Sequence, residues 1–215
     1  MSSRPAPARK RLTAEARREA ILGAASTVFS ARGFHSASID DIAGEAGVSK
    51  ALIYEHFSSK QELHAKLVEA HAAELYERLA AAVPSAEGSA SRLAAGLDAF
   101  FRFVEERRDA WRMLFREAAD PEAVAVLDRT LAQVTAVVAG LIAAEPGAQR
   151  LPQGEQERER GILLIAQMLV GAVQTVANWW ADHEDVPRER LVETAMDFAW
   201  LGLDRLSRGE RWTAG

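Results

Sequence analysis

Between Thr13 and Arg32 the apolar side chains fall at Ile21, Ala24, Ala25, Val28 and Phe29, the i, i+3, i+4, i+7, i+8 spacing that gathers them on one face of an α-helix. Gly33 offers a stop. Ser38 can then cap a second helix of only two turns, with Ile39, Ile42, Ala43 and Ala46 inward, and Gly47 can end it. Ser49 caps a third segment, Lys50 to Phe57, which closes at the polar pair Ser58-Ser59. In that third segment Ile53 and Phe57 share an inward stripe, whereas Lys50, Leu52, Tyr54 and His56 cannot all follow them. A helix this short is marginal alone in water, so packing must hold it. Ile39, Ile42, Ala43, Val48, Ile53 and Phe57 can form a small core with Ile21, Val28 and Phe29. Two short helices joined by a tight glycine turn are the helix-turn-helix signature, and the outer face of the second is free to touch DNA.

After Lys60 the helical period continues, and neither an alternating strand pattern nor an Asn-Gly hairpin signal occurs. The pattern predicts helices over about 60–82, ending before Pro84, and 89–107 after the loop "PSAEGSAS". A shorter helix should hold "DAWRMLFREA", and another should run from Asp120-Pro121 to Ala144. After the loop "EPGAQRLPQG", two helices over 155–182 and 187–208 close the chain. The fold class is all-α.

Composition narrows the function. With 215 residues and 48% hydrophobic content the chain can bury a sizeable core. It has no cysteine, so disulfides and thiolate metal sites are excluded, as suits a reducing cytoplasm. The start "MSSRPAPARKR" is basic but leads into no apolar signal core, so secretion is not expected. The most apolar stretch, "ILLIAQMLVGAV" at 162–173, is about half a membrane span and contains Gln167; it reads as a buried helix, with no membrane partner. The net charge of -5 argues against nucleic acid until it is divided along the chain. Residues 1–60 carry nine Lys/Arg against six Asp/Glu, and the remainder 17 against 25. Cationic character is local, and residues 1–11, with Pro5, Pro7, Arg4, Arg9, Lys10 and Arg11, read as a flexible basic arm.

The run "GFHSASIDDIAGEAGVSKALIYEHFSSKQEL", residues 33–63, resembles the DNA-binding domain of the tetracycline-repressor (TetR) family of bacterial transcriptional regulators. Gly33-Phe34, Ser38, Ile39, Ile42-Ala43, Ala46-Gly47-Val48-Ser49, Tyr54, Phe57, Lys60 and Leu63 carry the resemblance in register. It implies a helix-turn-helix DNA-binding domain over 12–60 and a helical regulatory and dimerisation domain over 61–215. It also implies a double-stranded operator DNA partner, with Lys50, Ala51 and Leu52 facing bases and Ser38, Ser49, Tyr54, His56 and Lys60 contacting phosphates. Two positions depart from the family: Ala51, often glycine, and Leu52, often polar. Leu52 cannot hydrogen-bond a base edge but can pack on a thymine methyl.

The last two helices are apolar over more than one face, through Leu169, Val173 and Ala177 on one and Leu191, Phe198 and Gly202 on the other. An internal core needs one face, so the surplus predicts a four-helix interface between two copies, a homodimer; the alternative is a larger monomer core. The family resemblance implies the same. Large side chains gather with a few amides around Phe103, Trp111, Phe115, Gln167, Gln174 and Trp179. Such stripes are usually core. They also fit a pocket for an apolar effector, a small molecule of lipophilic or aromatic character. His64, His71 and Glu74 lack a second ligand pair and read as ordinary helix surface, so no metal or cofactor is expected. HExxH, P-loop, Gly-x-Ser-x-Gly and dinucleotide glycine motifs are absent, leaving no support for catalysis. The expectation is a ligand-responsive regulator, a repressor released from a palindromic operator. A helical small-molecule carrier and a cavity-based enzyme are the rivals, and both leave residues 33–60 unexplained.

Overall fold

The computed structural model describes residues 13–83, 86–112, 121–145 and 154–208. The basic arm 1–11 and Phe115 lie outside the described residues. Among the described residues nine helical segments follow one another: α1 (Ala14–Ser36), α2 (Ile39–Ala46), α3 (Lys50–His56), α4 (Lys60–Ala82), α5 (Ser89–Glu106), α6 (Arg108–Trp111), α7 (Pro121–Ala143), α8 (Glu155–Trp180) and α9 (Arg188–Ser207).

Each early boundary has a local cause. The Thr13 hydroxyl accepts the Ala16 N–H at 3.2 Å and starts α1. Gly33 sits at φ 73°, where a side chain would be strained, and breaks the helix as expected. One more turn then follows it and carries Phe34 into the core. Ser38 and Asp41 form a reciprocal capping box at α2, and Gly47 ends α2 in the left-handed region at φ 64°. The Ser49 hydroxyl accepts the Leu52 N–H at 3.2 Å and starts α3. The Ser59 hydroxyl accepts the Glu62 N–H at 3.0 Å and starts α4, while the Glu62 carboxylate accepts the Ser58 N–H at 2.7 Å.

The first core contains Ile21, Phe29, Ile42, Ile53, Leu63 and Val68, all with 0% exposure. It does not stop at residue 60. Leu63, Leu67 and Val68 of α4 belong to it, and so do Ala123 and Val126 of α7. His64 is fully buried too, its ring 4.6 Å from that of Phe34 and 5.5 Å from that of Phe29. The sequence reading of His64 as helix surface is therefore corrected: α4 turns this side toward α1, and the imidazole completes an aromatic cluster. His71, two turns further along the same side of α4, is largely buried as well, and no group of residues that could hold a metal occurs among the described residues.

The second core gathers Leu97, Phe101, Phe103, Trp111, Ala177 and Trp180. The Trp180 indole N–H donates to the Val186 carbonyl at 2.7 Å, and the Arg108 guanidinium lies 4.5 Å above its ring. α4 packs on both α5 and α7, α7 packs on α8, and α5 packs on α9. The bundle thus has two wings, α5/α9 and α7/α8, that meet along α4 and again in the second core, where Trp180 of α8 packs edge-on to Phe101 of α5 at 5.8 Å.

α7 and α8 are each long and apolar enough by composition to cross a membrane. The expectation that 162–173 is simply buried is corrected: Ile162 and Ala166 are buried, but Leu163, Leu164 and Met168 are 50%, 63% and 71% exposed. Only one side of α8 faces α7, and the apolar surplus stands on the surface.

Candidate nucleic-acid interface and ligand cavity

The outer face of α3 presents Ser49, Lys50, Ala51 and Tyr54 exposed, with Leu52 and His56 half-buried beside them. Capping and packing set this orientation, because Ile53 and the following Phe57 are locked in the first core. The Lys50 ammonium donates to the Asp40 carboxylate of α2 at 2.9 Å, and that hydrogen bond holds its pKa above the ordinary lysine value. Asp40 was not among the residues the sequence singled out; ten positions of separation across a turn is no helical spacing. The exposed Ser38 hydroxyl accepts the Asp41 N–H at 3.1 Å and donates to the Asp41 carboxylate at 2.6 Å. These bonds, reinforced by Arg32 at 2.5 Å, hold the Asp41 carboxyl below its usual range.

Lys60 behaves differently from the expected phosphate contact. Its ammonium donates to the carbonyls of Phe34 at 2.8 Å and Ala37 at 2.9 Å, with that of His35 at 3.4 Å, and lies 4.5 Å above the Phe34 ring. An ammonium has three protons, and all three are directed at the end of α1. Arg18 makes a matching clamp at the other side, donating to the His56 carbonyl at 3.4 Å and covering the Phe57 ring at 4.6 Å. Two cations thus fasten α3 and α4 to α1.

Between the two wings lies a cavity of about 710 Å³. Its floor is α4, through Leu75, Leu79 and Val83; α5 adds Leu97 and Phe100, and α7 adds Leu127, Leu131, Val134 and Val138. Such a volume and such apolar walls suit a chain-like or lipophilic molecule. Of the six pocket residues expected, Trp111 and Gln174 line it. The others do not. Phe103 is 1% exposed in the second core, and Trp179 is 48% exposed, stacked on His183 at 4.1 Å. Gln167 is exposed and meets the Thr135 hydroxyl at 3.4 Å. The Trp111 indole N–H is satisfied by Asn178 at 3.0 Å, which fixes that ring at the cavity wall. Most lining residues come from helix faces whose period says "inward" without saying "core" or "cavity", so the sequence could not separate them. Leu127 packs against the first core and also lines the cavity.

The residues expected at a dimer interface divide three ways. Ala177 and Leu191 are buried in the protomer's own second core, and Leu169 and Val173 line the cavity. Phe198 and Gly202 are exposed. Leu164, Met168, Val176 and Trp179 of α8, with Phe198 and Leu201 of α9, leave a large apolar surface in water, Phe198 at 73% exposure and Met168 at 71%.

Comparison with known proteins gives these features a setting. Residues 21–67 match the pattern described as bacterial regulatory proteins, tetR family, and residues 90–202 match the tetracyclin repressor-like C-terminal domain. The chain is 31% identical over 198 residues to the HTH-type transcriptional activator FasR of Mycolicibacterium smegmatis, across 91% of this chain and 87% of that one. A TetR-like transcriptional regulator from Rhodococcus sp. RHA1 superimposes with a TM-score of 0.70 at 30% identity, over 90% of this chain and 99% of that one. The transcriptional regulator FadR of Bacillus subtilis, solved in complex with stearoyl-CoA, shares the fold at a TM-score of 0.67 and 17% identity, over 90% and 99% of the two chains. With helix-turn-helix core, cavity-bearing bundle and both sequence patterns in one chain, this protein belongs to the tetR family of bacterial transcriptional regulators.

Proposed function

We propose that the protein works in the cytoplasm as a homodimer that binds a two-fold operator and is released when an apolar, chain-like effector enters the cavity. In this reading Lys50, Ala51 and Leu52 face base edges, and Ser38, Ser49, Tyr54 and His56 meet phosphates. Lys60 leaves the phosphate set and becomes the residue that positions α4 against α1. The exposed apolar strip of α8 and α9 pairs with its copy, burying surface that water disfavours. The effector class draws support from the apolar walls of the cavity and from the FadR relative, which was solved with an acyl thioester.

One observation carries the coupling. α4 and α7 both contribute side chains to the first core and to the cavity: Leu63 and Val68 against Leu75 and Leu79 on α4, and Ala123 and Val126 against Leu131 and Val134 on α7. A ligand that spreads the wings must move both rods, and both rods carry the DNA-binding core. A dimer reads major grooves about 34 Å apart, so a small tilt in each subunit mismatches both half-sites. Whether release lowers or raises transcription depends on where the operator lies relative to the promoter, and the FasR relative bears the name of an activator.

The test is selection from random duplex DNA followed by a gel shift. An inverted repeat bound by two subunits supports the reading, and failure to enrich any sequence removes DNA from it in favour of a carrier.

A further inference from the structure

The cavity is apolar over most of its wall, yet one cluster of charged side chains lines it. Ser89 and Arg92 stand in the first turn of α5, and Glu145 lies just past the end of α7. The Arg92 guanidinium donates to one Glu145 oxygen at 2.8 Å, and the Ser89 hydroxyl donates to the other. These three residues bridge the two wings across the cavity. The Ser89 hydrogen bond first, and Arg92 with it, holds the Glu145 carboxyl below its usual range, so it is ionised at neutral pH. Asp204, also in the lining, pairs with Arg208 just past the end of its helix.

This arrangement has a definite chemical preference. A carboxylate has about four lone-pair positions and a guanidinium about five N–H donors, so the pair still offers both an acceptor and donors to a ligand. A hydroxyl or amide has the donor and acceptor to use them. A ligand carboxylate would instead meet Glu145 as a like charge, and Arg92 would have to give up its bond to Glu145 to receive it.

We propose that Ser89, Arg92 and Glu145 form a head-group subsite that selects chain-like effectors ending in an uncharged hydroxyl or amide over free carboxylates. The proposal rests on the reading of the cavity as the effector site. Seating such a head between α5 and α7 also loosens the bridge that holds the wings together, which places recognition where the wings part.

The full-length protein is titrated at pH 8 with dodecan-1-ol, dodecanamide and dodecanoic acid, followed by tryptophan emission. Any apolar cavity disfavours the acid, so the deciding quantity is how the acid-to-alcohol affinity ratio changes between variants. Glu145→Gln is expected to shift that ratio at least 10-fold toward the acid. Arg92→Gln, which leaves Glu145 uncompensated, should shift it the opposite way, and thermal melting confirms that each variant is folded. If either folded variant keeps the wild-type ratio while the compounds still bind, the subsite is overturned and the effector cavity stands. Should none of the three compounds bind the wild-type protein, the cavity reading falls and the subsite falls with it.

Discussion

Lys60 lies 4.5 Å above the ring of Phe34 and donates to that residue's own carbonyl at 2.8 Å, so one side chain joins the first turn of α4 to the last turn of α1. Hydrogen bonds from a charged donor contribute about 1.5–3 kcal/mol. Lys60→Met should therefore destabilise the DNA-binding core by about 2 kcal/mol. Its operator affinity should fall without a change in the slope of log K against log salt, since no phosphate contact is lost. A slope lowered by nearly two per dimer would return Lys60 to the phosphate set.

Lys50 and Asp40 form an exposed pair at 2.9 Å on the outer face of the helix-turn-helix, the face proposed above to meet the groove. Exposed pairs contribute little, so the ammonium can leave Asp40 for a base edge. Lys50→Ala should change the preferred base at one position of each half-site, read by repeating the selection from random DNA. Asp40→Asn removes a negative charge from that face and should strengthen binding to all sequences at low salt. An Asp40→Asn protein that binds DNA no better than wild type would place this carboxylate away from the duplex.

The exposed strip on α8 and α9 gives the dimer a simple test. Met168→Glu and Phe198→Glu place charges where the partner's apolar surface should lie, and sedimentation should show monomers. Because two linked half-sites gain about 10²–10⁴-fold over one, operator affinity should drop by at least 100-fold. Dimers that persist in both variants would locate the interface elsewhere.

His71 sets a pH limit on stability. Burial lowers its pKa most, Glu74 opposes that shift and Arg107 adds to it; Glu74 is in turn bonded to Arg78 at 2.5 Å and Arg107 at 3.1 Å. A histidine whose folded pKa lies below the unfolded value of about 6.5 takes up its proton more readily when unfolded. Its contribution is complete above pH 6.5 and is lost as pH falls through the folded pKa. Melting temperature should therefore decline between pH 7 and 5, and decline less in His71→Leu. The lowered carboxyls of Asp41, Glu62, Glu74 and Glu145 act in a separate window, losing their contribution as pH falls below the ordinary values of 3.8 for the aspartate and 4.5 for the glutamates.

What the sequence made legible follows the range of each interaction. The caps Ser38 and Ser49, the turn at Gly47 and the inward stripe of Ile42 and Ile53 are set by neighbours within four residues, and the helix boundaries follow them closely. The same period cannot tell which partner an inward face meets. Leu169 and Val173 read as interface and line the cavity, while Ala177 and Leu191 read as interface and are buried at home. Arg92 and Glu145 are 53 positions apart and meet only because α5 and α7 flank one cavity. The family resemblance points Lys60 outward, yet Phe34 sits where its ammonium finds carbonyls and a ring. α7 as a second rod to the DNA-binding core was invisible for the same reason, since Ala123 and Val126 reach across the fold.

Cavity and operator exclude one another through α4 and α7, so operator affinity should differ with and without a saturating aliphatic ligand. Taking the complex from 99% to 1% competent needs about 5.5 kcal/mol of differential binding, shared by two ligands. Linkage then requires operator DNA to weaken ligand binding by the same total factor. Leu127 touches both the first core and the cavity, so Leu127→Ala should keep ligand affinity within a few-fold and reduce the coupling. In the wild-type protein saturating ligand should weaken operator binding at least 10-fold, with a reciprocal loss of ligand affinity on operator. Equal operator affinity with the cavity filled and empty would contradict this exclusion.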